Sequence, residues 1–218
     1  TKTENLRVEN YRNMSKEDAA KYYRDSKVSY EDSVRFGLND GQRFQALVHN
    51  LGLHEKPIVL TDADYDKQMK TEALHGMEIY RGVSSQTAVD SIMFSDYTYI
   101  GDGIHGDGLY FSTSKDTAMS YGDNRMTAYI DKTLARPIKE DTLKTMLRGE
   151  SLDMQKAFRG NSGLSAYAIL KGYNVIHVPG GNGGNSQSIS SRGTKYGEDY
   201  YVPLVRNVIV FRQNSRIK

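Results

Sequence analysis

The 218-residue chain contains no cysteine and no tryptophan. Without thiols there are no disulfides, no cysteine nucleophile and no thiolate metal site, and the redox compartment is left open. Long apolar runs are also missing, since none approaches the roughly 18 residues that a membrane-spanning helix needs. The first ten residues, TKTENLRVEN, are too polar for the apolar core of a signal peptide. They also lack an initiator Met, and so read as the start of an excised or processed piece of a longer protein. Neither sign of charge dominates: 29 Lys and Arg face 27 Asp and Glu, for a net charge of +2. Strong nucleic-acid or membrane binding is therefore not implied, although mild basicity suits an anionic small ligand. The five histidines (His49, His54, His75, His105 and His177) show no HExxH or paired spacing, so no metal site is expected. His105, inside a glycine loop, is the one of interest, though a lone loop histidine is ordinarily solvated. No GxSxG nucleophile elbow occurs. The run GDGIHGDG at Gly101 to Gly108 lacks the Lys-Ser/Thr ending of a phosphate-binding loop and does not lead directly into a helix.

What is present describes an ordinary globular chain, 38% hydrophobic and 26% charged, long enough for one good core and a small accessory lobe. Sixteen tyrosines against six phenylalanines suggest many half-buried rings with a wet hydroxyl. Residues 1 to about 75 read as short helices. Ser15 with Asp18 and Ser29 with Asp32 resemble capping boxes, Asp40 opens a third helix through Phe44, Leu47, Val48 and Leu51, and Thr61 with Asp64 opens a fourth toward Met69. From Met77 the texture changes to β-like runs: Met77 to Val83, Leu109 to Phe111, Met126 to Ile130, Val175 to Val178, Tyr200 to Val205 and Val208 to Phe211. Helices over about Asp141 to Arg148 and Ser162 to Lys171 interrupt them. Strands that do not alternate strictly with helices predict an α+β fold rather than a doubly wound sheet.

The stretch of greatest chemical interest is GDGIHGDGLYFSTSKDTAMSYG, Gly101 to Gly122. It reads as a flexible glycine loop, an apolar strand ending in the hydroxyls of Ser112, Thr113 and Ser114, and a helix that those hydroxyls cap. A second loop, Gly180 to Gly197, leads into the acidic pair Glu198 and Asp199, and its length and composition favour a functional loop or lid over an idle excursion.

Together, the Arg that ends a strand in IYRGV, the strand YFSTS and an acidic residue opening a late strand after a loop resemble the Arg, Ser, Glu pattern of the mono-ADP-ribosyltransferases, a family of bacterial toxins and phage-encoded enzymes. The segment GDGLYFSTSKDTAMSYG also resembles the poly-ADP-ribose polymerase block, with Tyr110 and Tyr121 as the matched aromatics. The resemblance implies two packed, mainly antiparallel sheets around an NAD cleft in residues 76–218, with a helical N-terminal lobe over residues 1–75. The implied reaction moves ADP-ribose from NAD, a substrate here, to an acceptor macromolecule such as a host protein, with release of nicotinamide. It also implies a toxin, effector or phage protein that is secreted, delivered into a host cell or virion-associated. Alternatives are an NAD glycohydrolase and an inactive structural or binding module of the same fold.

Under this resemblance Arg81 anchors phosphate or ribose with its fork of donors. Gly82 lets backbone approach the nicotinamide carboxamide, Ser112 bonds the ribose or orients the acid, and Tyr110 and Tyr121 line the nicotinamide pocket. The carboxylate that stabilises the oxocarbenium-like transition state has two candidates. The position directly before the apolar strand is Asp199, which is expected to be the larger contributor, whereas the family's preference for Glu favours Glu198, which can assist from the loop end. Arginine-modifying members carry Gln or Glu two residues before the catalytic Glu; Gly197 or Tyr196 stands there, so arginine specificity is not supported. The resemblance also makes the loop from Gly180 to Gly197, through Gln187, Arg192 and Tyr196, a determinant of acceptor choice.

Overall fold

The computed structural model describes Phe44, Leu47, Val48 and residues 51–95, 103–180 and 198–214. In chain order the elements are β1 (Ile58–Leu60), α1 (Asp62–Glu72), β2 (Ile79–Val83), α2 (Gln86–Phe94), β3 (Phe111–Ser112), α3 (Lys115–Met119) and β4 (Asn124–Ile130). They continue with β5 (Pro137–Lys139), α4 (Glu140–Arg148), α5 (Leu152–Ala157), α6 (Asn161–Leu170), β6 (Val175–Val178), β7 (Tyr200–Pro203) and β8 (Ile209–Arg212). The helix starts follow local chemistry. Thr61, Ser85, Ser114 and Ser151 each accept a backbone N–H of the first turn of α1, α2, α3 and α5 through a side-chain oxygen. Gly172, at φ 87, follows the end of α6, where few side chains adopt a left-handed backbone.

The strands form one eight-stranded sheet in the order β1-β8-β4-β2-β3-β7-β6-β5. Its inner pairings are antiparallel, and the outermost pairs β1/β8 and β5/β6 are parallel. The architecture is mixed α and β, as expected. The expectation of two separate packed sheets is corrected: a single hydrogen-bonded sheet runs through, because β3 pairs with β2 on one side and β7 on the other. The bridge is narrow, since only Tyr80↔Ser112 links β2 to β3 and only Phe111↔Tyr201 and Ser112↔Tyr200 link β3 to β7. Four strands therefore lie to one side of β3 and three to the other.

Part of the segment assigned to a helical lobe is built into this sheet. β1 pairs with β8 through Ile58↔Val210, and Tyr65 of α1 packs on Tyr129 of β4 at 5.3 Å between ring centroids. Phe44, Leu47 and Val48 are helical and buried in the main core, as their spacing predicts. The capping boxes at Ser15 and Ser29 lie outside the described residues. On β2, Ile79 and Val83 bury into the same core as Phe111, Met126, Ala128 and Phe211. Gly82, on the other face of β2, sits directly under α3: a Cβ there would lie 2.0 Å from the Ala118 carbonyl oxygen and 2.9 Å from that of Gly122.

Gly82→Ala is accordingly expected to destabilise the fold by about 1–3 kcal/mol or more, because the obstruction is backbone and cannot swing aside. Gly149→Ala, whose nearest neighbour would be Met146 O at 3.4 Å, is the matched control and should shift stability by less than about 0.5 kcal/mol. Urea unfolding of the two variants checks this; equal midpoints would place α3 further from β2.

Candidate active site

Directly paired residues project to the same face of a sheet. The register Tyr80↔Ser112↔Tyr200 therefore puts Tyr80, Ser112 and Tyr200 on one face, and it is the face covered by α3. The Lys115 ammonium of α3 stands 5.2 Å from the centre of the Tyr80 ring. Ser112 is buried, and its Oγ accepts the Ser114 N–H at 3.0 Å. Ser114 Oγ in turn accepts the Thr117 N–H at 3.3 Å. The three hydroxyls thus end the strand and start the helix, as their order predicts. Glu198, two residues before Tyr200, returns to this face, where its Oε2 accepts a short hydrogen bond from Thr117 Oγ1 of α3. Its other oxygen carries no hydrogen bond among the described residues. Tyr121, just past α3, is 45% exposed. Burial, then the neighbouring Tyr121 hydroxyl and Glu198, push the Tyr200 phenol above its ordinary pKa.

The other acidic candidate goes elsewhere. Asp199 Oδ2 faces His177 Nε2 at 2.8 Å and its Oδ1 accepts the Gly180 N–H at 2.7 Å. Burial alone would raise its pKa, but the Gly180 N–H and His177 outweigh that and hold it below the usual carboxylate value. His177 stacks on Tyr201 at 4.6 Å and 4°, and Tyr201 is paired with Phe111 on the face opposite Ser112. The two carboxylates therefore serve different surroundings: Glu198 the α3 side, Asp199 the β6 side. Main-chain bonds lock this arrangement, with Thr113 N–H donating to Asp199 O at 3.0 Å and Asp199 N–H to Thr113 Oγ1 at 3.1 Å.

Arg81 alternates with Tyr80 and Gly82 and leaves β2 on the far face. Its Nη1 donates to the Tyr110 carbonyl at 2.9 Å, bracing β2 against the lead into β3. Its other N–H groups carry no hydrogen bond among the described residues, and Nε is buried. Burial lowers the guanidinium pKa to about 10, with Tyr110 opposing. The structure thus brings Ser112, Tyr110, Tyr121 and Glu198 together around Tyr200, while Arg81, on the opposite face, touches this group only through the Tyr110 carbonyl. Asp199 is not in that group. Gly82 lies at the same place, and its immediate neighbours are the carbonyls of α3 and Gly122.

The glycine loop departs most from its expected flexible, solvated character. Over residues 103–108 it is packed down: Asp107 is fully buried and His105 is 5% exposed. The Asp107 carboxylate accepts the Ser162 hydroxyl at the start of α6, and its carbonyl accepts Ser165 Oγ at 2.9 Å. The Tyr110 hydroxyl donates to Gly106 O at 2.6 Å and accepts His105 N–H at 2.9 Å. His105 Nδ1 meets Glu140 Oε2 at 3.0 Å, and Lys144 Nζ meets Glu140 Oε1 at 2.5 Å. A loop histidine read as solvated is therefore a buried member of a charged network, because α4 carries Glu140 to it from 35 residues away. His105 drew attention in the sequence, though read as solvated, whereas Glu140, Thr117 and Tyr200 were not singled out as part of a site. Only the Glu140 to Lys144 spacing, an i, i+4 pair on one helix, left a trace there.

Among the described residues, no group of three or more His, Cys, Asp or Glu is placed to hold a metal ion, and no helix is long and apolar enough to cross a membrane. The residues Gln187, Arg192 and Tyr196 of the second loop lie outside the described residues. No protein-family model, curated protein or solved structure matches this chain.

The buried network has a signed pH consequence. Burial pushes the Glu140 carboxyl up, but the hydrogen bonds from His105 and Lys144 outweigh it and hold its pKa below the unfolded value of 4.5. A depressed carboxylate pKa stabilises the fold fully above about pH 4.5 and ceases to do so as pH falls through the folded value. Glu140→Gln should therefore be less stable than the wild type near neutrality, and the difference should shrink in acid. Urea midpoints across that range report it; a constant gap would mean that the loss is packing alone.

Proposed function

We propose that the chain splits the bond between nicotinamide and ribose in NAD and transfers the ADP-ribose to an acceptor. The observation that carries this reading is the convergence on one sheet face of the Ser112 hydroxyl, the phenols of Tyr110, Tyr121 and Tyr200, and a carboxylate, Glu198, with an oxygen to spare. Flat phenols suit a flat nicotinamide ring. Breaking the glycosidic bond develops positive charge on the ribose, and a carboxylate bonded to a ribose hydroxyl stabilises that state more than the ground state.

In this reading Glu198 is the catalytic carboxylate. Thr117 orients one of its oxygens and the other is free to accept from the ribose. Ser112 helps to position the sugar. Arg81, from the opposite face, holds the Tyr110 segment in position through its carbonyl. Asp199 has both oxygens committed to His177 and Gly180, so it serves position rather than chemistry. Transfer to water instead of a macromolecule would make the same site a glycohydrolase; nothing in its geometry favours that outcome.

Glu198→Gln is expected to lower NAD cleavage by about two to three orders of magnitude, as loss of a preorganised charge does, with Asp199→Asn the smaller loss. Nicotinamide release, followed by chromatography, measures both. The reverse order of losses would transfer the catalytic role to Asp199, and full activity in both variants would sink the reading.

A further inference from the structure

One buried polar atom beside this group of side chains has no hydrogen-bond partner among the described residues. His105 is 5% exposed, and its Nε2 is shut away from solvent without a hydrogen bond. The rest of the ring is fixed. Its Nδ1 lies 3.0 Å from Glu140 Oε2, and Lys144 at 2.5 Å supports the ionised form of that carboxylate. A carboxylate can only accept, so the proton of a neutral imidazole sits on Nδ1 and Nε2 presents a lone pair. That lone pair points away from α4. The rings around it are Tyr110, with its centroid at 6.3 Å, and Tyr200, at 6.4 Å and within 25° of parallel. The half-exposed Tyr121 adds to the electrostatic cost of ionising both phenols. Leaving a buried acceptor unpaired is costly, so a donor from a bound ligand would relieve that cost.

We propose that His105 is a substrate-contacting residue of this site, its Nε2 accepting a hydrogen bond from the carboxamide N–H of a flat aromatic amide held among the phenols. The inference rests on the NAD reading above, which supplies nicotinamide as that amide. An acceptor-only atom there also sets specificity. A carboxamide offers it two N–H donors, whereas the carboxylate of nicotinic acid offers none and brings an unfavourable charge toward Glu140. The contact is made to the ring before and during bond cleavage alike, so it contributes binding rather than rate.

The test uses the full chain with 15N-labelled histidine, the His105 resonances being assigned by comparison with His105→Phe. Calorimetry with NAD establishes whether the wild type binds it at all. Saturating NAD, and nicotinamide alone, should shift the His105 Nε2 resonance, and nicotinic acid at the same concentration should not. In kinetics, His105→Phe should raise KM for NAD about tenfold with kcat little changed, and His105→Gln, which keeps an acceptor oxygen, should recover part of the loss. If NAD binds the wild type but the Nε2 resonance stays where it was, the inference is overturned while the NAD reading stands. If the wild type binds neither NAD nor nicotinamide, the NAD reading fails and this inference with it. The resonance measurement is made on the wild-type protein, so poor folding of a variant cannot shelter the idea.

Discussion

The gathering of side chains on the α3 face depends on one two-residue strand. Ser112 faces Tyr80 across β2 and Tyr200 across β7, and through it four strands are joined to three. The strand is short for a reason that can be read locally. Upstream, Leu109 still pairs, its N–H donating to Pro203 O at 3.0 Å, but the segment before it belongs to the packed glycine loop. Downstream, Ser114 is already capping α3. Three adjacent hydroxyl residues therefore end a strand, start a helix and present a hydroxyl to the face that the helix covers. A longer strand would have pushed α3 away from Gly82, and the close approach of Ala118 to that glycine shows how little room there is.

The second constraint is the burial of charge beside that strand. Asp107 and Glu140 are both withdrawn from water, and isolated carboxylates in such places are very costly. Each is matched instead. The Asp107 carboxylate takes the Ser162 hydroxyl in the first turn of α6, where the helix N-terminus also favours a negative charge, and the Asp107 carbonyl takes Ser165 Oγ. Glu140 takes His105 and Lys144. These hydrogen bonds and ion pairs, together with the approach of Gly106 and Gly108 to Ile176, Val202 and Leu204, hold the glycine loop down. Its glycines give the close approach that the network needs, which is the opposite of the flexibility their number suggests.

How much of this was legible in the sequence follows from how local each cause is. The strand Val175–Val178, the strand within Met77 to Val83, the caps at Thr61 and Ser114 and the helix closed by Gly172 were all readable, because each rests on a few adjacent residues. Edge strands Ile58–Leu60 and Pro137–Lys139 were not: each is three residues long, pairs in parallel, and owes its conformation to a partner far along the chain. Helix α2 was missed although Ser85 caps it and Val89, Ile92 and Met93 give the helical spacing of its buried side. In the site, Ser112, Tyr110 and Tyr121 were named from their motif. Tyr200, Thr117 and the His105–Glu140 pair depend on register and on a helix 35 residues distant, and no local pattern encodes either.

The acidic pair shows why register decides chemistry where composition cannot. Glu198 and Asp199 are adjacent, carry the same charge and stand at the same strand entrance, and alignment of the apolar run that follows favours Asp199. Alternation of side chains separates them. Asp199 falls on the side of β6, where a shorter side chain just spans the gap to Gly180 N–H and His177. Each of those donors favours the ionised form, and each also occupies an oxygen. Glu198 falls on the side of α3 with one more methylene of reach and a single hydroxyl partner. A carboxylate can stabilise charge developing on a ligand only with an oxygen that is not already satisfied. By that criterion the residue better stabilised in the resting protein is the poorer candidate for catalysis. Placing it immediately after the better one fixes the backbone from which Glu198 projects.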